Sequence, residues 1–317
     1  MPTSLKPAWG YWLILILVVG LVWGNQWVLV KLTDIRHQSA PMPVEELVSS
    51  RPADGNDREI VRIGVVSRFA PNIIYRLYQP IMDYLNTHGE RRHELALSDS
   101  YQDAALRLQR GEVQASFLGA WMCYQLPEDS GLEPVALPVN AEGVSRFHVV
   151  LITAEDSDIH SIGDLAGRRV AVPSDQAFSG NWLQNGGLRS AGLSPADLDT
   201  IQHFKHHDTV VWAVLRKEFD AGVVKQSLAH RYRSRGLRTV AVSSAIPGPP
   251  LVIDGRHRSE AVRDLVRLLL ALDRNDPGDR ALMQNWTPEF AFGFAPVDRA
   301  AFQQEFFQPT SPQGGTP

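Results

Sequence analysis

The 317-residue chain has one cysteine, Cys123, so no disulfide can form within it. A lone thiol is silent about redox compartment and reads as a buried apolar filler rather than a nucleophile or ligand. Charge of one sign is also missing. The 31 Lys and Arg stand against 35 Asp and Glu, a net −4 spread without long runs. That excludes a dedicated nucleic-acid surface and leaves small molecules or proteins as partners. Catalytic signatures are absent too, with no paired carboxylates at a recognisable spacing, no Gly-x-Ser-x-Gly elbow, no phosphate-loop Gly-Lys-Ser and no dinucleotide fingerprint. His203, His206 and His207 lie close together, but adjacent side chains do not converge on one ion without further ligands, so no metal is expected. No cofactor is expected either.

What is present begins with one long hydrophobic run. Trp9–Val30 carries no charged residue and as a helix would reach about 33 Å, the depth of one membrane span. Trp9, Tyr11 and Trp12 at one end and Trp23 and Trp27 toward the other fit an interfacial aromatic belt. The run continues past the loosely suitable cleavage residues Val22 and Gly24, which favours an uncleaved anchor over a signal peptide. Lys6 on one side faces Lys31 and Arg36 on the other, so charge does not set the orientation. The expected organisation is an anchor over 1–31, a Pro-containing linker over 32–58, folded structure from Glu59, and a disordered tail over 309–317.

From Glu59 onward, strand and helix signals alternate. Strands are expected at Glu59–Ser67, His93–Ser98, Val113–Leu118, Phe147–Thr153, Arg169–Pro173, Thr200–Phe204, Phe219–Val224, Leu237–Val242 and Leu251–Ile253. Helices are expected over Asn72–Thr87, kinked or delayed by Pro80, and at Tyr101–Arg110, Ala120–Leu126, Thr209–Lys217, Gln226–Ser234 and Ser259–Asp273. Such alternation predicts an α/β protein with βαβ units and mostly parallel sheet. The stretch Ser161–Trp182 is the candidate ligand-binding turn. There a short helix capped by Ser161 with Asp164, a tight turn at Gly167 and the strand Arg169–Pro173 lead into the small-polar loop Ser174–Gly180 at a helix N-terminus, where unpaired N–H groups and the helix dipole favour an anion.

Several segments together resemble the periplasmic solute-binding proteins of phosphate, phosphonate and phosphite uptake. They are IGVVS with PIMDYL, LQRGEVQASFLGAWMCY, SDIHSIGDLAGRRVAVPSDQAFSG, HHDTVVWAVLRKEFDAGVV and AIPGPPLVI, spread over about Val61–Phe294. The resemblance implies the two-lobed type II periplasmic binding protein fold, here with an N-terminal transmembrane helix. Lobe 1 would comprise 59–143 and 244–308, and lobe 2 144–243. Together with the hydrophobic run it implies a single-pass inner-membrane protein facing the periplasm, which captures a small phosphonate- or phosphate-like oxyanion. Its partner would be an ABC permease or, alternatively, a sensor histidine kinase; an enzyme of the same fold is the third reading.

Residue by residue, the Ser-Thr-Ser-Gly signature of phosphonate-binding members is here Ala177-Phe178-Ser179-Gly180, so two hydroxyls are missing. His207-Asp208 matches the family's histidine followed by an acidic residue, and Tyr101 aligns with a ligand-side tyrosine. Leu118 and Pro249 stand where the family carries a tyrosine and an acidic residue. Bottom-up, Ser179 either donates to a ligand or caps the helix begun by Asn181 and Trp182, and His207 is a donor to an oxyanion or a solvated loop histidine. Arg68 and Tyr75 sit where a ligand-facing group of the first lobe belongs, and a bidentate arginine would offset the lost hydroxyls. Trp121 and Phe178, with Trp182 and Trp212, either line an aromatic pocket or pack in the core. The expected ligand contacts are therefore Ser179, Gly180, Phe178, His207, Asp208, Tyr101, Arg68, Tyr75 and Trp121.

Overall fold

Two mixed sheets, one per lobe, organise the computed structural model, which describes residues 58–306. Both sheets belong to the unit that begins at Arg58. The predicted anchor, nearly all of the linker and the tail over 309–317 lie outside the described residues. Among the described residues no helix is long and apolar enough to cross a membrane.

The first lobe is built from β1 (Ile60–Val66), α1 (Pro71–His88), β2 (Arg92–Ser98), α2 (Tyr101–Gln109), β3 (Ala115–Phe117), α3 (Ala120–Gln125) and β4 (Leu132–Pro138). The chain then crosses to the second lobe. There β5 (Val149–Ala154), β6 (Arg169–Pro173), α4 (Phe178–Trp182), β7 (Thr200–Phe204), α5 (His207–Leu215), β8 (Ala221–Lys225), α6 (Gln226–Tyr232) and β9 (Leu237–Val242) follow in order. It returns to complete the first lobe with β10 (Leu251–Asp254), α7 (Glu260–Leu270), α8 (Pro277–Met283), β11 (Phe294–Pro296) and α9 (Arg299–Phe306).

The sheet orders are β11-β4-β10-β3-β1-β2 and β7-β6-β8-β5-β9. Only the pairs β1/β2, β1/β3, β6/β7 and β6/β8 are parallel; the pairs involving β4, β5, β9, β10 and β11 are antiparallel. The expectation of mostly parallel sheet is therefore corrected. Strands within a lobe run parallel where helices return the chain, but those next to the two lobe crossings enter from the opposite end. The crossings pair with each other: Phe147 N–H donates to the Ile246 carbonyl at 2.9 Å and Ile246 N–H to the Phe147 carbonyl at 3.0 Å.

Strand β4 was not expected, since Pro134 and Pro138 punctuate its sequence. Helix α1 begins with Pro71 in its first turn and runs on through Pro80, rather than starting after it. Its inward face is Ile74, Tyr78, Ile81, Met82 and Leu85. Strand β5 reads as an unbroken apolar run because both its faces are buried. Val149 and Leu151 pack on one side of the second sheet with Val170, Val172 and Leu183, while Val150 and Ile152 pack on the other with Val210 and Val224. Cys123 is buried among Leu108, Leu118 and Phe302, and burial pushes its thiol up to about 12.

Candidate functional site

A small cavity lies where the lobes and both crossings meet. Its lining comes from lobe 1 (Arg68, Tyr101, Gly119, Ala120, Trp121), the crossings (Phe147, Pro249) and lobe 2 (Val149, Ala177, Phe178, Ser179, His207, Lys225). Its free volume of about 30 Å³ is room for about two water molecules, so the lobes stand closed on each other.

Local sequence explains how each side chain arrives. The Ser100 hydroxyl accepts from the Asp103 N–H at 3.0 Å and so starts α2 at Tyr101, whose ring lies against the cavity. Gly119 precedes α3, and a Cβ there would come within 2.5 Å of Tyr101 Cε1. The ring and the glycine backbone are therefore in direct contact. In lobe 2, β6 ends at Pro173, and a turn closed by Ala177 N–H to the Ser174 carbonyl, 2.9 Å, opens α4. Gly180 makes that turn tight. A Cβ on it would lie 2.1 Å from the Ser174 oxygen and 2.7 Å from the Pro173 oxygen.

The helix begins at Phe178 with Ala177 as its N-cap and no side-chain cap, so Ser179 lies within the first turn. This corrects the expectation that the loop extends to Gly180 and that Ser179 would cap a helix begun by Asn181. The buried Ser179 lines the cavity instead. Helix α5 likewise starts earlier than expected, at His207, with His206 as its N-cap. His207 N–H donates across the lobes to the Arg68 carbonyl at 3.2 Å, and its ring lies 5.6 Å from that of Phe69. Four helix N-termini, those of α2, α3, α4 and α5, thus border the same cavity with their positive dipole ends.

A largely buried ion cluster supplies the charge. Arg68 Nη2 donates to Tyr78 Oη at 2.8 Å and to Glu289 Oε2 at 2.9 Å, while Lys225 Nζ donates to Glu289 Oε1 at 2.5 Å. The ammonium also lies 4.7 Å from the centre of the Phe147 ring. Burial pushes the Glu289 carboxyl up, but Arg68 and Lys225 outweigh it and hold the group at about 2. Burial and the Arg68 charge lower Lys225 to about 8 against the pull of Glu289. Burial, then Lys225 and Arg68, lower His207 to about 3, so its imidazole is neutral. It offers one N–H and one lone pair, and its Nδ1 is buried without a partner, as is Nε of Arg68.

Of the nine expected contacts, Arg68, Tyr101, Trp121, Phe178, Ser179 and His207 are brought together around the cavity. Trp121 and Phe178 face each other across the lobes with ring centres 6.2 Å apart. Gly180 supports the turn from behind. Asp208 is half-buried in the first turn of α5 but outside the lining, with Oδ1 buried and unpartnered. Tyr75 is not a lining residue. It is 46% exposed because it follows the inward-facing Ile74 by one position, about 100° around α1. Trp182 packs in the second-lobe core, and Trp212 meets Tyr232 edge-on at 5.5 Å, so neither lines the cavity. His203 is held by the Pro173 carbonyl, 2.8 Å from its Nδ1. No group of metal-binding side chains occurs among the described residues.

Sequence reasoning missed Lys225, Glu289, Tyr78 and Phe147. Lys225 did leave a signal: it is a charge directly after the apolar run of β8, at the carboxyl end of a strand, where open α/β sheets place ligands. Glu289 left none, since it lies in a segment, TPEF, with no sustained period.

Fold and cavity together define a two-lobed α/β solute-binding protein, closed around a cationic site at its hinge. The family described as "ABC transporter, phosphonate, periplasmic substrate-binding protein" matches residues 63–302, and the chain belongs to it. It is therefore a substrate-binding protein and not an enzyme. Among solved structures, a binding protein component of an ABC phosphonate transporter from Pseudomonas aeruginosa superposes with a TM-score of 0.68 at 16% identity, covering 78% of this chain and 84% of that one. PhnD1 from Prochlorococcus marinus, solved with methylphosphonate, gives 0.64 at 14% identity, covering 77% and 95%. A Xanthomonas citri protein solved with chloride gives 0.59 at 20% identity, covering 78% and 94%. At these identities the likeness concerns the fold.

Proposed function

We propose that this protein captures a small phosphonate-like oxyanion in the interlobe cavity and hands it to an ABC importer. The observation that carries this reading is the pairing of buried Arg68 with largely buried Lys225 at a cavity whose lining contains no carboxylate, only cations, neutral donors and apolar walls. Ser179, Tyr101 and His207 supply further donors, and Arg68 with Lys225 stands in for the hydroxyls lost at Ala177 and Phe178. The lobes, with boundaries near 143/144 and 243/244, part to admit the ligand and close over it by bending at the paired crossings. The uncharged run Trp9–Val30 serves as an uncleaved anchor that keeps the receptor on the periplasmic face of the inner membrane, beside its permease.

A thermal-shift screen of phosphate, phosphite, phosphonates and sulfonates is expected to give at least one stabilising ligand, because binding to the native state raises the melting point. Ser179→Ala and His207→Ala should each weaken that shift. Stabilisation by uncharged organic compounds alone would overturn the reading.

A further inference from the structure

The cavity's two cations are not both available to a ligand. Glu289 is drawn into the cluster by one oxygen on Arg68 and the other on Lys225, at 2.9 and 2.5 Å, and the three side chains are only 7%, 14% and 24% exposed for Arg68, Lys225 and Glu289. In so dry a place solvent does not screen the balance of charge. The groups facing the Glu289 carboxylate are Arg68 after β1, Tyr78 on α1, Tyr101 on α2, Lys225 at the end of β8 and His207 on α5. Both tyrosines are neutral, because burial raises their phenols above the ordinary value. The imidazole is neutral as well. Two cations against one carboxylate therefore leave a single positive charge for whatever enters.

We propose that Glu289 is a specificity-determining residue which, by occupying Arg68 and Lys225, makes this cleft select singly charged oxyanions, alkylsulfonates and the hydrogen form of alkylphosphonates, over doubly charged ones. The inference rests on the oxyanion reading above and goes further by naming the charge of the ligand. A monoanion leaves the closed cavity neutral. A dianion leaves a net negative charge buried without a counter-ion, which is costly in low dielectric.

Methanesulfonate and methylphosphonate test this directly. They have the same shape, but the sulfonate keeps one charge while the phosphonate loses its second proton near neutrality. Affinities of the full chain for both are measured by isothermal titration calorimetry at about pH 6.5 and about pH 8.5. Deprotonation of Lys225 weakens both ligands and cancels in their ratio where each binds only the form that keeps the ammonium. In the wild type, the affinity of methylphosphonate relative to methanesulfonate should fall about tenfold or more between the two pH values. In Glu289→Gln the fall should shrink, because removing the carboxylate leaves the cavity one unit more positive at any given protonation of Lys225. If that variant does not fold, the wild-type ratio decides alone. A ratio that rises with pH in the wild type, or binding of methylphosphonate without any of methanesulfonate, overturns the inference and leaves the oxyanion reading standing. Binding of neither these ligands nor phosphate sinks that reading itself, and the inference with it.

Discussion

The ammonium of Lys225, at the carboxyl end of β8 in one lobe, meets the carboxylate of Glu289 in the other at 2.5 Å. This is a bond between the lobes made at the ligand cavity, and Arg68 shares the same carboxylate from the first lobe. Closure and the proposed anion binding therefore draw on the same three side chains.

Replacing Lys225 by methionine keeps the bulk of the stem and removes the charge, so Glu289 loses its partner in the second lobe. The native state should lose about 3 kcal/mol, the usual cost of removing one member of a buried pair. Affinity for methylphosphonate should drop about 100-fold or more by calorimetry. Unchanged affinity would remove Lys225 from the site.

Gly119→Ala probes the fit of Tyr101. The new methyl would sit 2.5 Å from Tyr101 Cε1, so the ring must move toward the cavity or α3 must retreat. Overpacking of this kind costs about 1–3 kcal/mol. Ligand affinity should fall with the circular dichroism spectrum unchanged; full affinity would mean that the ring can retreat elsewhere.

Acid should weaken the fold through His207 before it reaches the carboxylates. Burial and neighbouring cations set the folded imidazole at about 3, below its unfolded value of about 6.5. Such a group contributes stability above the unfolded pKa and loses it as pH falls toward the folded one. Glu289, at about 2 when folded, begins to lose its share only below about 4.5. Between about pH 6.5 and about pH 4.5, His207→Gln should therefore flatten the decline of unfolding free energy in urea titrations. A residual slope should remain, because burial also lowers His93. An identical slope in the variant would show that His207 is not buried neutral.

Cys123 should be inert to thiol reagents while the protein is folded. Burial raises its pKa to about 12, which leaves almost no thiolate at neutral pH. Native labelling should run about 100-fold or more slower than labelling in denaturant. Comparable rates would place the thiol at the surface.

Much of the second lobe was legible because its signals are local. The cap Ser161 with Asp164, Gly167 at φ +69°, and strand Arg169–Pro173 all appear where their chemistry puts them. Strand direction was not legible in the same way, since alternation of strand and helix does not reveal that β5 and β10 begin after a lobe crossing. Nor was Glu289, which reaches Arg68 from 221 positions away in the chain. The expected acidic group near Pro249 is indeed missing from that segment, yet a carboxylate reaches the cavity's edge from elsewhere. What Ala177 and Phe178 left open was the size of the loss. In the proposed site Lys225 meets it with a full charge, while the tilted rings of Phe178 and Trp121 set an apolar wall across the lobes.

The paired crossings at Phe147 and Ile246 restrict how the lobes can move. Two independent single-chain connections could each twist about their own backbone torsions, but a pair exchanging hydrogen bonds of 2.9 and 3.0 Å cannot shear without breaking both. What remains is one shared bend. In the proposed hinge motion, occupancy of the cavity is thereby converted into a single mechanical coordinate, the angle between the lobes, which any partner touching both at once can read without touching the ligand.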